Sequence, residues 1–110
     1  MADKDLWILG GGIKTPPMSA EARQEAGGLL RLLQRGFTLS MPASRPMPSI
    51  GPRCHELRIA DGDMIWRVFY RVDKDAILVL EVLKKKTQKT PKATIEVCQK
   101  RLMQWDRRKK

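Results

Sequence analysis

One histidine, two cysteines and six aromatic residues in a chain of 110 leave little from which to build a metal centre or a histidine-driven catalytic set. Cys54 and Cys98 are far apart in the chain, and the only close Cys/His pair is Cys54 with His55. No zinc ligand set can be assembled from these, so neither a metal nor a cofactor is expected. A reducing compartment favours two buried thiols over a disulfide staple. Long apolar runs are also missing. The longest, such as Ala76 to Leu80, fall well below the roughly 18 residues of a membrane span. The start, with Asp3 and Asp5, lacks the basic-then-apolar layout of a signal peptide. These absences predict a cytoplasmic protein with no membrane partner.

What the chain does have is basic charge. Lys and Arg number 22 against 12 Asp and Glu, giving +10, and 42% of the residues are hydrophobic. That apolar fraction suits one core, so the reading is a single folded domain over 1–110 and not a disordered tail. Residues 1–83 are nearly balanced, with 11 basic and 10 acidic side chains; residues 84–110 hold 11 basic ones and only Glu96 and Asp106. The surplus falls in two clusters, Lys84, Lys85 and Lys86 with Lys89 and Lys92, and the tail from Arg107 to Lys110. A basic tail is ordinarily a solvated end that adds a salt-sensitive pull toward nucleic acid. The internal cluster adjoins an apolar strand, where side-chain directions are fixed.

Periodicity orders the rest. Leu6 to Leu9, halted by Gly10, Gly11 and Gly12, reads as a short strand. Ser19 caps a helix whose apolar residues Ala22, Ala26, Leu29, Leu30 and Leu33 recur with helical spacing until Gly36. Gly27 and Gly28 inside it each cost about 1 kcal/mol against Ala and predict a close backbone approach. Ser40 to Arg53, with four prolines, reads as an extended loop able to present Arg45 to a ligand. Cys54–Ala60, Met64–Val72 and Ala76–Leu83 then alternate with period two as an antiparallel meander. Thr90 caps a last helix with Pro91 at its first position and Ile95, Cys98, Leu102 and Trp105 as its stripe. The fold class is α+β, in the order β-α-β-β-β-α: a small, mostly antiparallel sheet of about four strands packed by two helices.

A two-residue turn at Asp61-Gly62 would set Glu56 opposite Arg67 and Leu57 opposite Trp66. One face of the meander then carries Leu57, Ile59, Trp66, Val68 and Tyr70, the core side. The other collects Glu56, Arg58, Arg67 and Arg71, with Leu78, Leu80, Val82 and Lys84 brought beside them by the next turn. Such a surface is either a solvated face with a cross-strand Glu56–Arg67 pair worth a few tenths of a kcal/mol, or a cationic cradle for a polyanion. The adjoining lysines extend it and favour the cradle.

The segments Cys-His-Glu-Leu-Arg-Ile (54–59), Trp-Arg-Val-Phe-Tyr-Arg-Val (66–72) and Lys-Lys-Lys-Thr-Gln-Lys-Thr-Pro (84–91) together resemble the RelE/HigB-like toxins, in particular their phage-derived HigB-like branch. The likeness runs over roughly residues 45 to 105. It implies a small sheet packed by helices, acting as a ribosome-dependent endoribonuclease on messenger RNA, and a cognate antitoxin of helix-turn-helix type. By position it assigns the site arginines to Arg67 and Arg58 and the basic position after the last strand to Lys85. Glu56 stands where some relatives carry a carboxylate and others a lysine. No histidine occupies the late position, and His55 has core-facing parity, which sets histidine acid–base work aside. Arg45, Arg71, Lys84, Lys86 and Lys89 complete the expected RNA-binding set.

Cutting RNA without a metal requires that the 2′-OH lose a proton, the pentavalent phosphate be neutralised and the 5′ oxygen be protonated. Arg67 and Arg58 suit the second task. Glu56, or a lysine whose pKa is lowered by its like-charged neighbours, suits the first; at its ordinary value of about 10.4 a lysine is a poor base. Lys85 is assigned to the acid or to leaving-group stabilisation. Two other readings compete: a non-catalytic protein inhibitor on a similar fold, of the kind that poisons gyrase, in which the sheet arginines tolerate replacement, and a basic nucleic-acid-binding module that depends on the tail. Phe69 is the one aromatic on the basic face, which disfavours general single-strand binding.

Overall fold

The computed structural model describes residues 3–13, 17–85 and 89–108. Its elements are β1 (Asp5–Ile8), α1 (Ala20–Gln34), β2 (Ser44–Pro46), β3 (Cys54–Asp61), β4 (Met64–Val72), β5 (Ala76–Lys85) and α2 (Lys92–Arg108). The sheet has five strands in the order β1-β5-β4-β3-β2. β1 runs parallel to β5 and the other neighbours are antiparallel. The fifth strand is β2, inside the segment that its prolines mark as loop. Proline is tolerated there because β2 is an edge, and Pro46 stands at its last position.

Both helices follow from their sequences. Ser19 is extended and its Oγ accepts the Ala22 amide at 3.1 Å, while Gly36, at φ 95°, provides the left-handed residue that ends α1. Asp61 docks the start of α1 on the sheet by accepting the Ser19 amide at 3.1 Å and the Trp66 indole at 2.7 Å. These bonds hold its carboxyl below the usual value, the Ser19 amide most of all. The second helix begins one residue later than Thr90 and Pro91 predict. The Pro91 carbonyl accepts from Ile95, and the Thr90 hydroxyl, buried, makes no hydrogen bond with the described residues.

α1 covers one sheet face, packing Ala22, Ala26, Leu30 and Leu33, with Met18 from the segment before its cap, on Leu57, Ile59, Val68 and Tyr70. α2 covers much of the other, with Cys98, Leu102 and Trp105 against Phe69, Leu78 and Leu80 and with Met47 and Ile50 closing the side. The arginine face is therefore no open cradle, and Phe69 is fully buried within it.

Two register features decide which side chains meet. The β3–β4 turn is Gly62-Asp63, with Gly62 at φ 65°, where only glycine is free of strain. Pairing is thus displaced by two residues from the predicted one: Arg58 lies opposite Arg67, Ile59 opposite Trp66 and Glu56 opposite Phe69. An even displacement keeps every side chain on its face. In β5 it does not hold. Glu81 pairs with Phe69 but Val79 with Tyr70, so Leu80 is an extra residue in a bulge. Leu78 and Leu80 stay on the arginine side as predicted. Val82 and Lys84 cross to the α1 side, and Glu81, Leu83 and Lys85 take register positions on the arginine side.

Candidate functional site

The sheet brings three guanidinium groups to one carboxylate. Arg45, on edge strand β2, is the register partner of Glu56; Arg58 follows Glu56 by one full period on β3; Arg67 faces Arg58 from β4. Oε1 of Glu56 lies 3.0 Å from Arg67 Nη1, which donates to it, 3.2 Å from Arg45 Nε and 3.8 Å from Arg58 Nε. Oε2 is buried and accepts no hydrogen bond from the described residues. Two like charges directly opposite on a sheet repel, and the Glu56 carboxylate beside them offsets that repulsion.

Exposure divides the cluster. The side chains of Glu56 and Arg67 have none, whereas Arg58 retains 20% and Arg45 29%. Arg67 is therefore an interior residue bound to Glu56, not the open phosphate ligand its strand position predicts. Arg58 and Arg45 form the accessible rim. A buried ion cluster gives little net stability compared with apolar packing, so a site of three cations and one anion calls for a role beyond holding the fold.

The remaining predicted residues separate. Lys85 pairs through its backbone with Ile65, one period from the Arg67–Leu83 pair on the same side. Lys84 is on the opposite face, its Nζ 5.3 Å from the Trp66 ring centroid, and leaves the cluster because of the bulge. Lys86 lies outside the described residues, and Lys89 is exposed ahead of α2. Arg71 is a clamp. It donates from Nε and Nη2 to Asp73 at 2.7 and 2.9 Å, and from Nη1 and Nη2 to Asp106 at 3.1 and 2.7 Å. Its guanidinium is held more firmly charged than usual, chiefly by the Asp106 hydrogen bonds.

His55 takes the predicted α1-side parity. Its ring stacks on Tyr70 at 5.3 Å, and burial lowers its pKa. Tyr70 in turn shares a 2.6 Å hydrogen bond with Ser44. Both thiols are buried and free, and burial raises Cys54 to about 11 and Cys98 to about 12, which removes them as nucleophiles at neutral pH. Sequence reasoning missed Arg101. Its Nη1 donates to the Leu80 carbonyl at 2.6 Å and lies 3.3 Å from Glu81, fastening α2 across the bulge; its place beside Leu102 on the helical stripe was the available signal. Among the described residues no group of three or more His, Cys, Asp or Glu could hold a metal ion, and no helix is long and apolar enough to cross a membrane.

The family model described as Phage derived protein Gp49-like matches residues 17–103, which takes in α1, every strand from β2 to β5 and most of α2. The chain belongs to this Gp49-like family. The family is of the RelE/HigB-like toxin type, which gives a Gp49-like protein a cognate antitoxin as partner; the match does not single out the HigB branch. The chain matches no curated protein and no solved structure.

Proposed function

We propose that this Gp49-like protein is a ribosome-dependent endoribonuclease of the HigB branch, cutting messenger RNA in the cytoplasm and held in check by a helix-turn-helix antitoxin. One observation carries the reading: Arg45, Arg58 and Arg67 converge on the single carboxylate of Glu56, an excess of positive charge with two of its guanidiniums still reachable. In the proposed step the 2′ oxygen forms a bond to phosphorus and the bond to the 5′ oxygen breaks, with no metal. Arg58 grips the non-bridging oxygens, which a guanidinium can do bidentately, and Arg45 flanks it. Arg67 adds its charge from beneath. Glu56, enclosed by arginines, fixes them in place and is poorly placed to reach a 2′-OH. Proton removal then falls to the lysine cluster at the end of β5, and within it Lys85, at a register position on the arginine side, serves the leaving oxygen.

Mapping message ends after induced expression tests this. The unaltered protein should arrest growth and yield new 5′ ends, and Arg58→Ala should reduce cleavage by about 10²–10³-fold, the loss typical of removing one transition-state charge donor. Undiminished cleavage by Arg58→Ala overturns the assignment. A second reading, the non-catalytic protein inhibitor, is favoured by one observation, the burial of Arg67 and Glu56 against each other; growth arrest without new message ends is its signature.

A further inference from the structure

The close approach that Gly27 and Gly28 predict on α1 is not made, since a Cβ at either would meet no heavy atom within 4 Å. The helix encloses space at its C-terminal end. There Phe37 follows the left-handed Gly36 and donates its amide to the Leu32 carbonyl at 3.1 Å, the bonding of a Schellman cap. An apolar residue at this place ordinarily packs back on the last turn of its helix. Phe37 does not: it is 56% exposed, with the Arg35 guanidinium 5.8 Å from its ring centroid. The cap fixes its backbone and leaves the ring largely uncovered.

Phe37 borders a cavity of about 220 Å³ between the end of α1 and the sheet. The wall includes His55 of β3 and Tyr70 of β4, whose rings stack at 5.3 Å with planes 23° apart. Burial lowers the pKa of His55, so at neutral pH its ring is uncharged and offers one donor and one acceptor. Lys4 and Arg53 complete the lining, and among the described residues no acid joins them. Lys4 Nζ donates to the main-chain carbonyls of Asp73 and Lys74, which hold the ammonium in place without cancelling its charge. Arg53 Nε donates to the Val72 carbonyl at 3.1 Å. Its guanidinium lies 3.5 Å from Asp73, a carboxylate engaged more closely by Arg71 at 2.7 and 2.9 Å.

Aromatic faces beside two cations select a flat ring that carries an anion. The space is smaller than the roughly 300–1,000 Å³ of a drug-sized pocket, so it admits one ring system and leaves the anion at the mouth. A point-charge lysine next to a forked arginine suits a phosphate, which carries about −1.5 to −2 at neutral pH, better than a singly charged carboxylate. We propose that this cavity binds a nucleoside monophosphate, with its base against Phe37 and the His55–Tyr70 stack and its phosphate between Lys4 and Arg53. The site lies on the α1 side of the sheet, opposite the arginine cluster, and is independent of the nuclease reading.

The probe is adenosine 5′-monophosphate, titrated against the full chain. His55 is the one histidine, so a single imidazole resonance in the NMR spectrum reports occupancy, and a saturating upfield movement caused by the stacked base is expected. Adenosine, which lacks the phosphate, should bind at least tenfold more weakly, and inorganic phosphate should not produce the upfield movement. Phe37→Ala and Arg53→Gln, both at exposed positions, should each weaken the nucleotide at least tenfold with the circular dichroism spectrum unchanged. Arg53→Gln should leave the affinity for adenosine as it was. Arg58→Ala, on the other face, should bind as the unaltered protein does. No saturation, equal affinity for adenosine, phenylacetate binding as tightly as the nucleotide, undiminished affinity in the Phe37 and Arg53 variants, or loss of binding in Arg58→Ala overturns the proposal.

Discussion

Glu56 is the residue on which the site turns, because its removal takes the 3.0 Å ion pair from an Arg67 side chain that has no exposure. Breaking a buried pair from one side costs about 3–5 kcal/mol. Glu56→Ala is therefore expected to lower unfolding stability by that amount in urea titrations, and Glu56→Gln, which keeps an acceptor for Arg67 Nη1, by less. A loss near zero would mean that the cluster opens to water. His55 and Asp61 set the pH dependence. Both have folded pKa values below their ordinary ones, so the unfolded chain binds more protons and stability rises with pH through each range. Tm should be highest at neutral pH, begin to fall as pH drops through the ordinary histidine value of about 6.5, and fall again below pH about 4 as Asp61 takes up its proton. His55→Phe should flatten the first fall and leave the second.

At the scale of elements, Arg71 shows how a strand position can mislead. It shares a face with Arg67, yet Asp73 from the β4–β5 turn and Asp106 from α2 occupy its donors. Arg71→Ala should cost about 2–4 kcal/mol, the worth of breaking a half-buried charge-assisted network, while cleavage per folded molecule stays unchanged; a selective loss of RNA affinity would restore it to the binding set. Much of this level was legible in the residues. Ser19 and Gly36 mark α1, the period of two marks β3 to β5, and the meander faces hold on β3 and β4. The bulge at Leu80 was not legible, since Leu78, Leu80 and Val82 alternate without a break. It is the bulge that sends Lys84 over Trp66. β2 was hidden for another reason: its register is set by Arg45 meeting Glu56, a contact between segments that no local pattern announces. The burial of Arg67 likewise depends on α2 and Met47 covering a face that alternation alone leaves open.

On the whole molecule, +10 in 110 residues acts at a distance, drawing a polyanion toward the sheet from any approach. Most of the surplus lies beyond Leu83, part of it in the tail from Arg107 onward, and on the proposed reading this tail adds a salt-sensitive pull on RNA. Deleting residues 107–110 is expected to weaken RNA binding and to flatten its logarithmic dependence on salt, by up to roughly 0.7 in slope for each phosphate the tail no longer neutralises, while the positions cut stay the same. A truncation that abolishes the effect altogether would move the activity from the sheet to the tail. The central claim is that Arg58 meets the scissile phosphate, and it is tested most directly by single-turnover cleavage of one defined message on purified ribosomes. Arg58→Ala should lower the rate by about 10²–10³-fold, with Arg58→Lys between it and the unaltered protein. Equal rates for all three would contradict the account.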